Sequence, residues 1–192
     1  MDNITNYIQD LAKHLSSTEV TTVRGTMLLD EGIQNAVRII LSLRESRAKV
    51  MLVGNGGSAA IASHQAMDLW RSGGIRAMAF NDAVELTCLG NDFGYENVFS
   101  KGIQMFADAG DVFVAISSSG RSHNILNAVS AAREKKCTVI TFSGFDADNP
   151  LRSSGDLNFY VASKSYGYVE IAHLTLLHAI SDFIGHKTKG RL

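Results

Sequence analysis

Apolar residues recur along this chain at two different spacings, and the spacing changes near residue 46. Before that position they recur at helical spacing, which is typical of helices with one buried face. Breaks at 16–18 and at Gly25 separate two such segments. Their apolar positions are Ile4, Tyr7, Ile8, Leu11 and Leu15, and then Ile33, Val37, Ile40 and Leu41. The pattern predicts two N-terminal helices within residues 1–46, which either cover the sheet of the same chain or pack against a second copy for oligomerisation.

Residues 47–192 alternate short apolar runs with longer amphipathic segments. The predicted strands are 50–53, 75–80, 111–116, 138–142 and 157–161. The predicted helices are 59–70, 84–89, 98–106, 124–135 and 170–184. A turn-rich loop is expected at 90–95, where Asn91 and Asp92 are either site candidates or ordinary turn residues. Strands that alternate with helices predict an α/β fold, a three-layer sandwich whose parallel sheet is flanked by helices, with an N-terminal helical extension.

Composition narrows the class of protein without identifying it. Hydrophobic residues make up 45% of the 192 residues and charged residues 19%, which is ordinary for one globular domain. The formal net charge of -1 gives no general attraction to nucleic acid or to an anionic membrane. No apolar run approaches the length of a bilayer span, and the N-terminus lacks the features of a signal peptide. Cys88 and Cys137 lie in apolar surroundings, so we expect buried thiols in a cytoplasmic protein, with a single disulfide as the alternative.

The strand predicted at 50–53 runs into a glycine-rich turn, Gly54-Asn55-Gly56-Gly57-Ser58, and then into a helix. Glycines allow the backbone to approach a ligand closely, and a helix N-terminus offers unpaired N–H groups and a dipole that favours an anion. Neither the dinucleotide-binding pattern G-x-G-x-x-G nor the P-loop pattern is present. The turn therefore indicates a phosphate or sugar-phosphate site, or else an ordinary tight connection between strand and helix.

A second polar loop, residues 117–122, follows the strand predicted at 111–116 and precedes another helix. Its serines Ser117, Ser118, Ser119 and Ser122 supply four hydroxyls, which with backbone N–H groups would form a neutral cradle for a phosphate dianion. Serine and glycine are also common in loops that bind nothing. Because ligands of parallel sheets bind beyond the carboxyl ends of the strands, both loops could face one crevice.

Two predicted helices carry titratable side chains at spacings that favour a shared face. His64 and Asp68 are four residues apart, and Glu170 and His178 are eight apart, whereas His173 is turned away from the second pair. A histidine and a carboxylate from each helix could bind a divalent metal such as zinc or act as general acid and base. The alternative is that one pair is a surface contact and the other histidine is a core residue.

Four features occur in this chain in a characteristic order: residues 54–58, residues 90–94, residues 110–112 with 116–120, and the helix that contains His178. In order and approximate spacing they resemble the phosphoheptose isomerases, which are sugar isomerase (SIS) domain proteins that convert sedoheptulose 7-phosphate to heptose 7-phosphate. The resemblance covers nearly the whole chain, including the paired N-terminal helices. It implies a flavodoxin-like SIS domain over 47–192 and a homotetramer with sites at subunit boundaries.

The resemblance also implies roles for residues of this sequence. It implies substrate contacts at Asn55, Gly56, Gly57, Ser58, Asn91, Asp92, Ser117, Ser118, Ser119 and Ser122. It implies zinc ligands at His64, Asp68, Glu170 and His178, and acid–base catalysis by Asp68, Glu170 and His178. The family usually carries glutamate at the position of Asp68 and glutamine at the position of Glu170. The loop that family members usually have at this place is longer than residues 69–76 of this chain.

The function implied by the resemblance is that of an aldose–ketose isomerase, which moves a proton between C1 and C2 of an open-chain sugar phosphate through an enediol(ate). The expected substrate is sedoheptulose 7-phosphate, and the product, D-glycero-D-manno-heptose 7-phosphate, would serve lipopolysaccharide or capsule biosynthesis. The two substitutions and the shorter segment leave open another sugar phosphate as substrate. A non-catalytic SIS protein that binds a phosphosugar or a partner is a further alternative, which the retained histidines and carboxylates disfavour.

Overall fold

A computed structural model describes residues 3–188 of the chain. Within these residues one seven-stranded sheet is covered by seven helices. The helices are α1 (Ile4–Ser16), α2 (Leu29–Leu41), α3 (Gly57–Gly73), α4 (Ala83–Phe93), α5 (Val98–Phe106), α6 (His123–Glu134) and α7 (Tyr166–Thr188). The strands are β1 (Glu19–Thr22), β2 (Gly25–Met27), β3 (Val50–Gly54), β4 (Ala77–Ala79), β5 (Val112–Ser117), β6 (Thr138–Gly144) and β7 (Leu157–Val161). Short 3-10 turns lie at Tyr95–Asn97 and Pro150–Ser153.

The order of strands across the sheet is β2-β1-β7-β6-β5-β3-β4. Neighbouring strands from β7 to β4 pair in parallel, whereas β1 pairs antiparallel with both β7 and β2. Taken in chain order, the five parallel strands have the 2-1-3-4-5 arrangement of flavodoxin-like folds. The order reverses at β3, which has β4 on one side and β5 on the other. The parallel arrangement predicted for residues 47–192 is confirmed, and the reversal creates a crevice at the carboxyl ends of β3 and β5.

Helices pack on both faces of the sheet, as the alternating pattern predicts. Successive side chains of β3 point to opposite faces, so that Val50 and Leu52 enter one core and Met51 and Val53 enter the other. The first core includes residues of α2, α3 and α7, and the second includes residues of α5 and α6. Strands β3 and β5 are buried at every position because helices cover both of their faces. The three-layer α/β sandwich is therefore confirmed.

A β-hairpin that the hydrophobic pattern does not predict lies between α1 and α2. Its strands β1 and β2 occupy the segment in which the sequence indicated only breaks between helices. They contain four and three residues, which is too short for an alternating pattern to be recognised. Val20 of β1 packs so closely on α2 that a Cβ atom added at Gly32 would lie 2.7 Å from Val20 Cγ1. The hairpin extends the sheet beyond β7 and helps bring α2 into the core.

Helix α4 is longer than predicted and takes in part of the loop expected at 90–95. Gly90 lies inside the helix, because a single glycine costs a helix only about 1 kcal/mol and tertiary packing can override it. The helix ends before Gly94, whose φ is 81°. Asn91 and Asp92 therefore lie in the last turn of α4, and the prediction that they occupy a loop is wrong.

Both cysteines are free, and Cys137 is buried as expected, whereas Cys88 is exposed. The prediction of a buried thiol is wrong for Cys88 because α4 buries none of its residues, despite its apolar sequence. In the described part of the chain, no helix combines the length and the hydropathy that crossing a bilayer would require.

A buried ion pair ties together the amino ends of β3 and β5, opposite the crevice. Asp111 has no exposed surface, and its carboxylate accepts hydrogen bonds from the Lys49 backbone N–H at 2.9 Å and from Lys49 Nζ at 2.6 Å. Lys49 Nζ also lies 2.9 Å from the carboxylate of Asp108, whose side chain is 83% exposed. Burial alone would lower the pKa of Lys49, but hydrogen bonds to the two carboxylates raise it above its usual value.

Replacing Asp111 with asparagine should lower the free energy of unfolding by about 3 kcal/mol, because the ammonium of Lys49 loses its buried counter-ion. Urea denaturation at pH 7 measures this loss. Asp108→Asn is the matched control, because Asp108 contacts the same Nζ atom from an exposed position and should contribute far less. Equal losses in the two variants would contradict the importance of the buried pair.

Candidate active site

The two polar loops meet at the carboxyl end of the sheet, where the strand order reverses. Strand β3 ends at Gly54 and β5 ends at Ser117. A cavity of about 100 Å³, here called the cradle cavity, lies at these ends. Its lining residues are Asn55, Ser58, Ser117, Ser118, Ser119, Ser122, Tyr166 and Glu170. The structure thus brings the glycine turn and the serine loop into one crevice, the position at which ligands bind in sheets of this kind.

The serine loop gives the cradle cavity a polar wall. Ser118 is 5% exposed, and its Oγ atom has no hydrogen-bond partner within residues 3–188. A buried hydroxyl without a partner is costly, so a ligand that accepts its hydrogen bond would be stabilised here. Gly120 turns the loop with a φ of 62°, and a Cβ atom at this position would collide with the side chain of Asn149. Arg121 is directed away, to the carboxylate of Asp148 at 2.6 Å, and does not line the cavity.

Two helices begin at the cradle cavity. Helix α3 starts at Gly57 after Gly56, whose φ of 54° permits the tight turn, and α6 starts at His123 after Ser122. Neither helix has a side-chain hydrogen bond from its N-cap residue. The positive ends of two helix dipoles therefore lie beside the serine hydroxyls. This combination suits a phosphate group without a cationic side chain.

His64, Asp68 and His178 form a compact group between α3 and α7. Asp68 Oδ2 lies 3.1 Å from His64 Nε2 and 3.6 Å from His178 Nδ1. One ligand atom from each of the three residues can be chosen so that all lie within 4.8 Å of one another. The side chain of Asp68 is only 9% exposed, whereas both imidazoles are partly open to solvent. Two imidazole nitrogens and a carboxylate oxygen at these separations can hold a metal ion.

Arg71 supports this group and was not among the predicted site residues. Its Nη2 atom donates a hydrogen bond to Asp68 Oδ1 at 3.2 Å, while Asp68 Oδ2 faces the two histidines. Arg71 follows Asp68 by three residues on α3, a spacing at which opposite charges on a helix attract. That spacing is a signal by which the sequence could have identified it.

Glu170 connects the cradle cavity to a second cavity of about 410 Å³, here called the histidine cavity. The histidine cavity is lined by Gly57, Ala60, Ile61, His64, Glu170, Ile171, Leu174 and His178. The Glu170 carboxylate lies against the backbone of α3. A Cβ atom added at Gly57 would be only 2.6 Å from Glu170 Cδ. Glu170 is therefore the carboxylate that both cavities share.

Glu170 does not belong to the three-residue group. It precedes His178 by eight residues, which corresponds to about 12 Å along the axis of α7. The structure thus brings together three of the four predicted metal ligands and holds Glu170 apart from them. A metal-binding role for Glu170 stays a prediction.

Asn91 and Asp92 lie outside both cavities of the single chain. Both are exposed at the end of α4, where Asn91 Nδ2 donates a hydrogen bond to Asp92 Oδ1 at 2.8 Å. Cys88 Sγ lies 3.7 Å from Asp92 Oδ2. Their predicted contact with substrate stays a prediction.

Three residues that line the cradle cavity or contact its Asn55 carry no signal in the sequence pattern. Tyr166, the first residue of α7, lines the cavity. Asn124 pairs with the side chain of Asn55 from 69 residues away, and Tyr95 donates a hydrogen bond to Asn55 Oδ1 from 40 residues away. Contacts over such separations leave no local spacing to recognise, so only the folded chain reveals them.

His173 is fully buried behind the site and, as expected from its spacing, is not part of the histidine cavity. Its Nε2 atom lies 3.1 Å from the backbone carbonyl oxygen of Ser143, and its ring packs edge-on against Phe142. Burial lowers the pKa of His173 to about 4, although the hydrogen bond to Ser143 opposes the shift. The imidazole is therefore neutral at pH 7 and donates its Nε2–H to the carbonyl.

Comparison with known proteins identifies the class to which this fold and site belong. A family model described as the SIS domain matches residues 7–144, which is more than half of the chain. The chain is therefore a member of the SIS-domain family. Membership in this family is consistent with the crevice at the ends of β3 and β5 and with the resemblance of the sequence motifs.

Relatives within this class narrow the assignment. A phosphoheptose isomerase of Helicobacter hepaticus is 33% identical over 183 residues, which cover 92% of this chain and 93% of the relative. A phosphoheptose isomerase of Proteus mirabilis is 36% identical over 162 residues, which cover 80% of this chain and 83% of the relative. The structure of the phosphoheptose isomerase of Neisseria gonorrhoeae matches with a TM-score of 0.81 and 31% identity, covering 94% of this chain and 97% of that chain. This chain belongs to the phosphoheptose isomerase family.

The buried His173 should make the protein less stable as the pH falls. Its pKa is about 4 when folded and near 6.5 when unfolded, so the unfolded chain binds the proton more tightly. The stability that depends on the neutral ring is complete above pH 6.5 and is lost as the pH falls towards 4. Between pH 7.5 and 4.5, urea denaturation should show a loss about 2.5 kcal/mol smaller in His173→Gln than in the wild type. The same pH dependence in both proteins would contradict the neutral buried imidazole.

Proposed function

We propose that this protein is an aldose–ketose isomerase that converts sedoheptulose 7-phosphate to D-glycero-D-manno-heptose 7-phosphate. The observation that carries the proposal is the position of Glu170, which lines both the cradle cavity and the histidine cavity. With its phosphate in the cradle, an open-chain sugar would extend past a carboxylate towards an imidazole. Proton transfer beside a carbonyl needs a base and an acid held in this way. The names of the relatives support the same reaction.

The phosphate of the substrate is assigned to the cradle cavity. Hydroxyls on the serine loop and uncapped helix N-termini indicate a phosphate site that uses no lining lysine or arginine among the described residues. The proposed contacts are Ser58, Ser117, Ser118, Ser119 and Ser122, with Asn55, Gly56 and Gly57 on the facing turn. Asn91 and Asp92 are retained as proposed sugar contacts on the basis of the family resemblance alone.

The proton transfer is assigned to Glu170 and His178. Asp68 is less suited to act as the base, because it is nearly buried and already contacts two histidines and an arginine. Glu170 would remove the proton from C1 of the ketose while His178 protonates the oxygen on C2, giving an enediol. Glu170 would then return its proton to C2 while His178 takes the proton from the oxygen on C1, giving the aldose. Asp68, which faces Nδ1 of His178, would fix the position of that imidazole.

The three-residue group fits a zinc ion. Asp68 Oδ2 lies 3.1 and 3.6 Å from nitrogens of the two histidines, and a carboxylate with two imidazoles is a donor set that zinc accepts. His64, Asp68 and His178 would hold the metal, which when bound polarises the oxygens of the sugar and stabilises their negative charge. Glu170 lines the same cavity as His64 and His178, and its role as a fourth ligand stays a prediction.

We further infer a homotetramer with its sites near subunit boundaries. Helix α1 buries none of its residues, and its apolar side chains Ile4 and Ile8 are 70% and 57% exposed. An amphipathic helix with its apolar face in solvent favours packing against a second copy. The side chains of His64 and His178 are 47% and 39% exposed, so a neighbouring subunit could also cover the reaction site. The product would supply heptose for lipopolysaccharide or capsule.

His178→Gln should lower the turnover of sedoheptulose 7-phosphate by about 100-fold or more, because glutamine has a similar volume but cannot exchange a proton. The assay incubates the purified protein with this substrate and zinc and measures the heptose phosphate formed. His186→Gln is the matched control, since His186 is exposed in the last turn of the same helix, and it should keep wild-type turnover.

Full activity of His178→Gln would contradict its acid–base role. A wild-type protein that binds the sugar phosphate without converting it would instead be a non-catalytic SIS protein. Turnover of a different sugar phosphate alone would keep the reaction class and replace the substrate.

Asp68→Asn should weaken zinc binding by about tenfold or more, because a neutral amide replaces the carboxylate between the two histidines. Competition with a chromogenic chelator measures zinc affinity independently of activity. Asp148→Asn is the control, since Asp148 pairs with Arg121 at an exposed position outside both cavities. Asp68→Glu, which introduces the residue usual in the family, should retain zinc. Wild-type affinity in Asp68→Asn would exclude Asp68 as a ligand.

A further inference from the structure

We propose that Asn124 and Tyr95 are positioning residues, which hold the two phosphate-binding loops at a fixed separation by locking the side chain of Asn55. The family resemblance gives Asn55 a substrate contact and gives Asn124 and Tyr95 no role. The proposal rests on the phosphate site of the proposed function and concerns what keeps that site in shape.

The side chains of Asn55 and Asn124 form a reciprocal pair. Asn55 Nδ2 donates a hydrogen bond to Asn124 Oδ1, and Asn124 Nδ2 donates one to Asn55 Oδ1, each at 2.9 Å. Tyr95 OH donates a third hydrogen bond to Asn55 Oδ1 at 3.1 Å. Asn124 is 3% exposed and Asn55 is half-buried, so water competes little with the pair.

The pair joins the two loops beyond the end of the sheet. Asn55 is the first residue after β3, and Asn124 lies in the first turn of α6, directly after the serine loop. The parallel ladder between β3 and β5 ends with the pairing of Gly54 and Ile116. Past that point the amide pair continues the connection between the two chain segments. It therefore sets how far apart the N-termini of α3 and α6 lie.

A count of hydrogen bonds limits what the Asn55 side chain can offer a ligand. An asparagine carbonyl accepts two hydrogen bonds and its amide donates two. Asn55 Oδ1 already accepts from Asn124 and from Tyr95, and Asn55 Nδ2 already donates to Asn124. One N–H remains for a substrate. The side chain of Asn55 therefore acts first as a link, and the direct phosphate contacts come from the serine hydroxyls and the glycine turn.

Two helix N-termini bind one phosphate more tightly when both already point at it before it binds. Loops that begin and end at strand and helix termini are mobile unless side chains hold them. A site whose geometry is fixed in advance does not lose binding energy to ordering. Removing the link should therefore weaken phosphate binding even where no direct contact with phosphate is removed.

A double-mutant cycle on Asn55 and Asn124 tests the link, with inorganic phosphate as the probe and titration calorimetry as the measurement. Asn55→Ala and Asn124→Ala should each weaken phosphate binding about tenfold. The double variant should bind no more weakly than the weaker single variant, because both changes remove the same interaction. An additive loss, about 100-fold in the double variant, would overturn the proposal. So would wild-type affinity in Asn124→Ala.

Two further variants test whether Tyr95 acts through Asn55 and whether the effect on phosphate binding is specific to Asn124. Tyr95→Phe should weaken phosphate binding about twofold in the wild type and have no effect in the Asn55→Ala background, since Tyr95 acts through Asn55. An equal effect in both backgrounds would contradict this route. Asn127→Ala is the matched control, because Asn127 lies one turn further along α6 and donates to the Glu96 carbonyl at 2.9 Å instead. It should bind phosphate within about twofold of the wild type.

Urea denaturation of the same proteins separates the link from the phosphate assignment. The double variant should unfold at the urea midpoint of the less stable single variant, whether or not phosphate binds. Independent shifts of the midpoint would overturn the link. If the midpoints of the variants are coupled but the wild-type protein does not bind phosphate, the link is supported and the assignment of phosphate to the cradle cavity is overturned. Asn124→Ser, a smaller change in polarity, serves in the same cycle if Asn124→Ala does not fold.

Discussion

The reversal of strand order at β3 is the constraint on which the whole site depends. Because β4 and β5 pair with opposite edges of β3, the chain leaves β3 towards α3 in one core and leaves β5 towards α6 in the other. The two connections diverge and leave the crevice between them. A one-residue slip of a central strand would exchange the side chains of its two cores, so the packing on both faces helps to fix the register. The loops can therefore be polar and irregular while the sheet beneath them is not.

The site separates the groups that hold the substrate from the groups that react with it. Hydroxyls and helix dipoles surround the proposed phosphate position, whereas His64, Asp68 and His178 gather between α3 and α7. Neither cavity is lined by a lysine or an arginine in the described chain, so no lining cation pairs with Glu170 in the space that the two cavities share. The buried charge of Lys49 is kept at the opposite ends of the strands, where Asp111 compensates it.

The sequence predicts those parts of the molecule whose signal is local. The strands and helices of residues 47–192, the meeting of the two polar loops and the pairing of His64 with Asp68 follow from period, turn chemistry and helical spacing. The hairpin is missed because Val20 is the one buried position of β1, and the end of α4 is misplaced because the single glycine at position 90 costs the helix too little to end it. Asn124 and Tyr95 could not be found, since their contacts with Asn55 exist only after the sheet has brought distant segments together.

The contact between Glu170 and the backbone of Gly57 restricts how this protein can change over evolution. A methyl group at position 57 would occupy the space of the Glu170 carboxylate, so a larger residue there would displace the group that joins the two cavities. The residue at the start of α3 therefore sets where the carboxylate of α7 can lie, although 113 positions separate the two in the chain. A descendant that lost the glycine would keep its glutamate yet turn that flexible side chain out of the shared space, so its chemistry would change with no change at the position that performs it.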